Sequence, residues 1–444
     1  METYVYYYKI VYDIFIINLI SINVMSSMYS SKYLFILLII TISFFTSCKK
    51  QVHEIRPLSR SSNDSIITYY GEELPTLPID ESTAKIINVP EKIKNINADS
   101  IISGCDYILL ETKNECLIGE IYKLDFDSTF IFILDRNNGN LFQFQYNGKF
   151  CRKIGVKGNG PDEYIELFNF TLDKSKKEIS LIDMRKKKLF YYNYDGELLR
   201  KESMYYHFYD MEFIDDKIVA YTGTANNANA EIVQNKRIII SDRSQKPIYG
   251  AFPYSNKYKE NVIFGIRRPL KHMNNKIYYT NFLSDIVWEI SDTTCNAAYR
   301  LIMDNANFLT DSELSNIGEQ ELANLRKNKR NFYGEFLVTN MYSIFMIDHY
   351  GAVVPLVCNN KTNRIYYGQI VSNKPKKNID SILGYNFNFI HTDSSFVQVV
   401  QPFLLKHYIE SSQGLILDKE SHELLDKINE EDNPILKIIK LRTS

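Results

Sequence analysis

"FIFILDRNNGNLFQFQYNGKF", residues 130–150, and "EISLIDMRKKKLFYYNYDGEL", residues 178–198, superimpose without a gap. Asp135 falls on Asp183, Leu141 on Leu189, Phe142 on Phe190, Tyr146 on Tyr194 and Gly148 on Gly196, each at an offset of 48. Both stretches read as strand, Asp-led turn, strand, and a Tyr-Asn-Gly or Tyr-Asp-Gly hairpin into a further strand. Asn-Gly and Asp-Gly supply the positive φ angles that tight hairpins need. Three antiparallel strands plus one more in 48 residues is the size of a four-stranded propeller blade.

Weaker copies follow along the chain. "DKIVAYTG" (216–223) with "KRIIISDRSQKPIYGAF" (236–252) makes a third unit, and "NNKIYYTNFLSDIVWEISDTTCNAAYRLIM" (274–303) a fourth. "EFLVTNMYSIFMIDHYG" (335–351) with "NRIYYGQIV" (363–371) makes a fifth. "FNFIHTDSSFVQVVQPFLL" (387–405) starts a sixth, to be completed by "NPILKIIKLR" (433–442) or by the early strand "AKIINVP" (84–90). Strands from both chain ends sharing one blade would close the ring and leave no free edge. The expected fold is therefore all-β: a six-bladed propeller of four-stranded antiparallel blades over 83–444. One helical insertion is expected near 310–330, where Thr310 and Glu313 form a capping box.

Composition agrees with this reading. The chain has 33 Tyr and 26 Phe against 18 Gly and 12 Pro, a balance suited to half-buried pleated surfaces. Acidic and basic residues nearly cancel, 53 against 52, so no global field draws in nucleic acid.

The N-terminal region has a different character. Lys32 precedes the apolar run Tyr33–Phe45, which ends in "TSCKK". A basic residue, an apolar core and small residues at a processing point make an export signal. Phe45-Thr46-Ser47-Cys48 resembles a bacterial lipobox, in which Cys48 is acylated and becomes the mature N-terminus. The apolar run is shorter than the ~20 residues a membrane-spanning helix needs. Met25 and Met28 are better starts than Met1, so 1–27 reads as an over-long gene start within a 1–47 signal region. Residues 48–82 are polar, with three prolines, and read as a flexible tether carrying the lipidated Cys48. The remaining cysteines, 105, 116, 151, 295 and 358, fit neither a disulfide framework nor a zinc pattern. Buried free thiols are expected, with Cys105 and Cys116 the one candidate bridge.

"IGVKGNGPDEY" (154–164) tests the reading most directly. As a phosphate loop it fails, because Pro161 and Asp162 stand where Lys and Ser or Thr must grip phosphate and magnesium. As a dinucleotide fingerprint it fails, because Glu163 replaces the third glycine. A crossing between two blades accounts for it: glycines permit the change of direction and Pro161 stiffens entry to the next strand.

At this point the chain resembles the NHL-type repeat. It is more similar still to the six-bladed β-propeller lipoproteins of Bacteroidales. The residues that carry the likeness are 146–198, "LLETKNECLIGEIYKL" (109–124), "NKIYYTNFLSDIVWEI" (275–290) and "EEDNPILKIIKLR" (430–442). The resemblance implies a propeller fold and a lipid-anchored place in the bacterial cell envelope, periplasmic or outer-membrane. It implies no reaction and no ligand.

Chemistry finds little support in the sequence. The seven histidines form no HExxH and no i, i+4 pair, and there is no G-x-S-x-G elbow. No catalytic residue, metal site or cofactor is expected. Asp135 and Asp183 recur at the same turn and so hold structure, accepting from nearby backbone N–H groups. Arg185, Lys186, Lys187 and Lys188 share one turn, read as a solvated turn with contact to an acidic polysaccharide or a protein as the alternative. Turns 135–140 and 183–188 and the crossing 157–164 should share one rim. Lys157, Asn159, Asp162, Glu163, Arg185 and Lys187 are therefore the candidate binding residues. The expected role is binding or scaffolding of an unknown envelope protein or glycan. The alternative is a hydrolase or lyase with an axial site, acting on a glycan or small molecule.

Overall fold

The structure, a computed structural model, describes residues 73–443 apart from 229, 255–267, 311–312, 314–315, 373–377 and 412–416. The signal region, Cys48 and the tether up to residue 72 lie outside the described residues.

The six expected blades are present, each a four-stranded antiparallel unit. Blade 1 comprises Lys123–Phe126, Phe130–Asp135, Asn140–Gln145 and Phe150–Lys153. Blade 2 comprises Leu167–Asp173, Glu178–Asp183, Lys188–Asn193 and Leu198–Ser203. Blade 3 comprises Asp210–Ile214, Lys217–Tyr221, Lys236–Asp242 and Pro247–Pro253. Blade 4 comprises Leu270–Met273, Lys276–Tyr279, Ile286–Ile290 and Cys295–Ile302. Blade 5 comprises Arg330–Val338, Tyr342–His349, Ala352–Asn359 and Ile365–Tyr367.

Blade 6 closes the ring with both chain ends. Phe389–Thr392, Ser395–Val400 and Ile435–Leu441 are joined by Ile102–Leu109, whose ladder runs from Ile435↔Leu109 to Leu441↔Ile102. The terminal stretch was expected here; the early strand is a different one. "AKIINVP" instead contributes Lys85–Asn88, which pairs in parallel with Cys295–Ile302 on the outer edge of blade 4, beside Ile79–Asp80. Docked structure thus starts before residue 83, with Leu74 buried at the joint of blades 2 and 3 and Leu77 at that of blades 3 and 4.

The middle strands read as continuous apolar runs because each blade is covered on both faces. A hydrophobic cluster fills each of the six joints. Phe132, Leu141, Leu181 and Phe190 join blades 1 and 2, Tyr191, Met211 and Ile239 blades 2 and 3, and Ile240, Ile277 and Trp288 blades 3 and 4. Val287, Phe336 and Phe345 join blades 4 and 5, Ile344, Phe396 and Ile439 blades 5 and 6, and Val397, Leu436, Ile133 and Phe142 blade 6 to blade 1. Fully burying one such side chain contributes about 1.5–3 kcal/mol.

Two sequence motifs meet at the seam. Asn433, from the terminal "DNP", is buried; its Nδ2 donates to Glu111 O and Cys116 O at 2.8 Å each. Its Oδ1 accepts from Ile118 N at 2.8 Å. The hairpin glycine Gly148 (φ +83°) sits against the same segment, and a Cβ there would lie 1.9 Å from Leu109 O. Only glycine fits.

The capping box is formed, with Glu313 Oε2 accepting from Thr310 N at 2.8 Å and Glu313 N donating to Thr310 Oγ1 at 3.3 Å. The insertion's helix is Glu319–Asn328, in the crossing from blade 4 to blade 5. Further helices were not foreseen: Ile379–Leu383, Pro402–Ser411 and Lys419–Leu425. The "QPFLL" end of the sixth unit is helical rather than a strand, and Pro402 occupies the first helical position, where its missing N–H costs nothing. Among the described residues no helix is long and apolar enough to cross a membrane. Cys105, Cys116, Cys151, Cys295 and Cys358 are free thiols, with 116, 295 and 358 buried.

Candidate functional site

Turns between second and third strands and the crossings between blades lie at the same end of each blade. This end forms a rim, as the alternation of antiparallel strands requires. Asp135 and Asp183, both fully buried, hold it together. Asp183 accepts from Arg185 N and Lys186 N, each at 2.9 Å, and from Ile165 N in the incoming crossing at 2.7 Å. Asp135 does the same for Asn138 N at 3.3 Å and Gly119 N at 2.7 Å. The repeated aspartate therefore ties each turn to the crossing that enters its blade.

The glycine-rich crossing consumes its own amides. Gly158 N donates to Tyr164 O at 2.8 Å, and Gly160 N donates to the Glu163 carboxylate at 2.7 Å. A Cβ on Gly158 would lie 2.0 Å from Glu163 Oε2, so the carboxylate fills the space a side chain would need. Tyr164 OH donates to Gly139 O at 2.9 Å in the neighbouring blade's turn. Lys186 Nζ donates to Gly160 O at 2.7 Å and Glu163 O at 2.5 Å. No N–H group in these bonds is left to cradle a phosphate.

The rim brings the six candidates together and gives them unlike environments. Lys157 donates to Asn138 O at 3.2 Å, Asp162 pairs with Lys201 at 2.6 Å, and Glu163 clips its own loop. Asn159, Arg185 and Lys187 are exposed, and their side chains have no partner among the described residues. Close by, the half-buried His207 has its pKa lowered by burial and by the charge of Lys187.

A second cluster, unseen in the sequence, lies on the axis. Lys123 of blade 1 donates to Phe170 O of blade 2 at 2.8 Å and pairs with Glu212 and Asp210 of blade 3 at 3.1 and 3.8 Å. Asn169 of blade 2 donates to Asp210 at 2.7 Å, and His272 of blade 4 lies 3.5 Å from Glu212. Beside them, Lys271 pairs with Glu335 of blade 5 at 3.2 Å and donates to Gly334 O and Phe336 O at 3.2 and 3.1 Å. Arg268 donates to Asn388 O at 3.0 Å, just before the first strand of blade 6.

The electrostatics are those of a buried, over-subscribed lysine. Burial pushes Asp210 up to about 7, against the pull of Lys123 and with help from Glu212. Glu212 is held down, the opposing burial outweighed by Lys123 and His272. Lys123 loses stability as a cation by burial but is raised overall by the two carboxylates. Burial lowers Lys271 to about 8 despite Glu335. The available signal was the presence of charges inside short inner strands, "KLDF", "DMEFI" and "LKHM". Their convergence depends on ring geometry that no local pattern encodes. Among the described residues, no group of three His, Cys, Asp or Glu side chains is arranged to hold a metal.

Fold and rim together define a closed six-bladed β-propeller with a polar seal across its axis. Residues 84–440 match DUF4934, a domain of unknown function, and the chain belongs to that family. Among solved structures, it is similar to a "Putative exported protein" from Bacteroides fragilis NCTC 9343. That likeness has 21% identity, TM-score 0.67, and covers 81% of this chain and 100% of the other. A member of the DUF4221 family from Bacteroides vulgatus matches at 11% identity and TM-score 0.47, over 77% of this chain and 98% of that one. No curated protein matches the chain.

Proposed function

We propose that the protein is a lipid-anchored propeller of the bacterial cell envelope that binds or scaffolds an envelope protein or glycan through its rim, without chemistry of its own. The observation that carries this reading is the state of the axis. Asp210 and Glu212, the carboxylate pair an axial hydrolase would use, are 1% and 4% exposed and share Lys123. Carboxylates that are buried and spent on a shared lysine are poorly placed to meet a substrate, whereas Asn159, Arg185 and Lys187 face solvent on the rim. The lipobox-like stretch ending at Cys48 and the likeness to the putative exported protein of Bacteroides fragilis support the location.

Two measurements test the two halves. Mass spectrometry of the protein from its own membranes should find Cys48 N-terminal and acylated; an unmodified Cys48 defeats the anchor. Arg185→Ala/Lys187→Ala protein should lose partners that the parent captures from envelope extracts. Unchanged capture defeats the rim.

A further inference from the structure

The end of the blades opposite the rim carries a cavity of about 430 Å³ at the seam of blade 6. Three segments far apart in the chain build it: Ser103 from strand Ile102–Leu109, His391, Thr392, Ser394 and Ser395 from the first hairpin of blade 6, and Lys440 to Thr443 near the C-terminus. Its volume falls within the ~300–1,000 Å³ of small-molecule sites.

The lining has two halves. One is hydroxyl-rich: Ser395 Oγ lies 2.9 Å from His391 Nδ1 and 2.6 Å from Thr392 Oγ1, while Ser103 Oγ donates to Lys440 O at 3.1 Å. The His391 ring is fixed edge-on to Phe126, centroids 5.0 Å apart, so the imidazole and Ser395 are pre-positioned. The other half is cationic. Lys440 is shared with Asp106 at 2.5 Å, whereas Arg442 spends only Nε, on Asp99 O at 2.9 Å, and meets no carboxylate among the described residues. The Asp393 carboxylate of the same hairpin is turned to Asn340, whose Nδ2 donates to it at 2.9 Å, and Arg442 leaves a guanidinium edge suited to bidentate oxyanion recognition.

We infer that this seam cleft binds a small acidic sugar, with Arg442 and Lys440 taking its oxyanion and Ser395, Thr392, Ser103 and His391 taking its hydroxyls. Hydroxyl side chains both donate and accept, as a polyol requires. The anion can be a carboxylate or a phosphoryl group; the shared chemistry is an oxyanion on a polyhydroxylated ring. Because the cleft joins both chain ends, occupancy also strengthens ring closure. The site lies away from the rim and does not depend on rim binding or on the anchor.

The test is calorimetric titration of the full chain with D-glucuronate, D-glucose 6-phosphate, D-glucose and inorganic phosphate. Either acidic sugar should bind at least tenfold more tightly than glucose or phosphate, and which of them does so identifies the anion. Arg442→Met and Ser395→Ala should each weaken that binding at least tenfold, while Asp162→Asn on the opposite face leaves it unchanged. Arg442 is exposed, so its variant keeps the fold even if Ser395→Ala does not. Silence toward both acidic sugars at millimolar concentration overturns the inference. So does equal binding of inorganic phosphate, or full binding by Arg442→Met.

Discussion

Replacing Lys123 by Met removes the lysine of the axial cluster that reaches both Asp210 and Glu212. At 3.1 and 3.8 Å, an effective dielectric of ~20 gives gross attractions of roughly 5 and 4 kcal/mol. The lost cost of burying the ammonium offsets much of that. The remainder is the penalty of leaving two buried carboxylates without their shared cation, Asp210 with Asn169 and Glu212 with His272, about 3–5 kcal/mol for breaking a buried pair. The loss must also depend on pH. At pH 8 both acids are ionised in the parent protein; at pH 5 Asp210, with its pKa near 7, is already neutral and the lysine has less to do. Urea unfolding followed by the fluorescence of Trp288, the single tryptophan and a buried one, reads the change directly. Lys174→Met is the control: its pair with Asp125 is half in solvent and worth about 0–1 kcal/mol. If Lys123→Met unfolds within 1 kcal/mol of that control at both pH values, the seal is ornamental and the argument fails.

Three further outcomes follow from the same geometry. Asp210 has a raised folded-state pKa, so the native state holds its proton more tightly than the unfolded chain. Its contribution to stability is full below about pH 4 and is lost as pH rises toward 7. Asp210→Asn should therefore gain on the parent by roughly 2–3 kcal/mol between pH 5 and 8, and a flat difference across that window would contradict it. Asp183→Ala orphans three backbone donors, at Arg185, Lys186 and Ile165, and should cost about 2–4 kcal/mol in urea melts, against less than ~0.5 for Arg185→Ala. Gly148→Ala combines a left-handed φ with a 1.9 Å approach to Leu109 O and should cost at least ~2 kcal/mol; a neutral result would mean the seam can yield.

The sequence made the ring visible where the repeat is undisturbed. Blades 1 and 2 share the 48-residue offset because their turns are equally short, and the same Asp and Gly must stand at the same corners. The period then dissolves for a physical reason. Propeller packing constrains the strands, whereas the turns on the rim can lengthen freely. In blade 6 the connection from Val400 to Ile435 holds two helices, and in the crossing to blade 5 the Glu319–Asn328 helix intervenes. The closing strand was misplaced because "AKIINVP" and 102–109 are both short apolar segments near the start. Only tertiary pairing separates an edge addition from a closing strand. The turn that Asp135 and Asp183 brace was legible because neighbouring blades place those two residues at a fixed offset. The axial cluster was not, since Lys123, Glu212 and His272 are far apart in sequence and meet only across the axis.

Closing the ring between segments more than 300 residues apart looks, at first, like its weakest joint. Loop-closure entropy makes it otherwise. Loop-closure cost grows only as (3/2)RT ln n, so spanning the 315 residues between Ile118 and Asn433 costs roughly 1.7 kcal/mol more than spanning one 48-residue blade. Against this stand the ladder from Ile435↔Leu109 to Leu441↔Ile102, the bonds of Asn433 to both sides of the 111–118 segment, and the Val397–Leu436–Phe142 cluster beneath. One buried aromatic more than cancels the excess. The stretches 109–124 and 430–442 are thus distinctive in the sequence because they must fit each other rather than a neighbouring repeat. The seam is thus as firmly built as any other joint, and the recognition proposed above falls to the two ends of the ring.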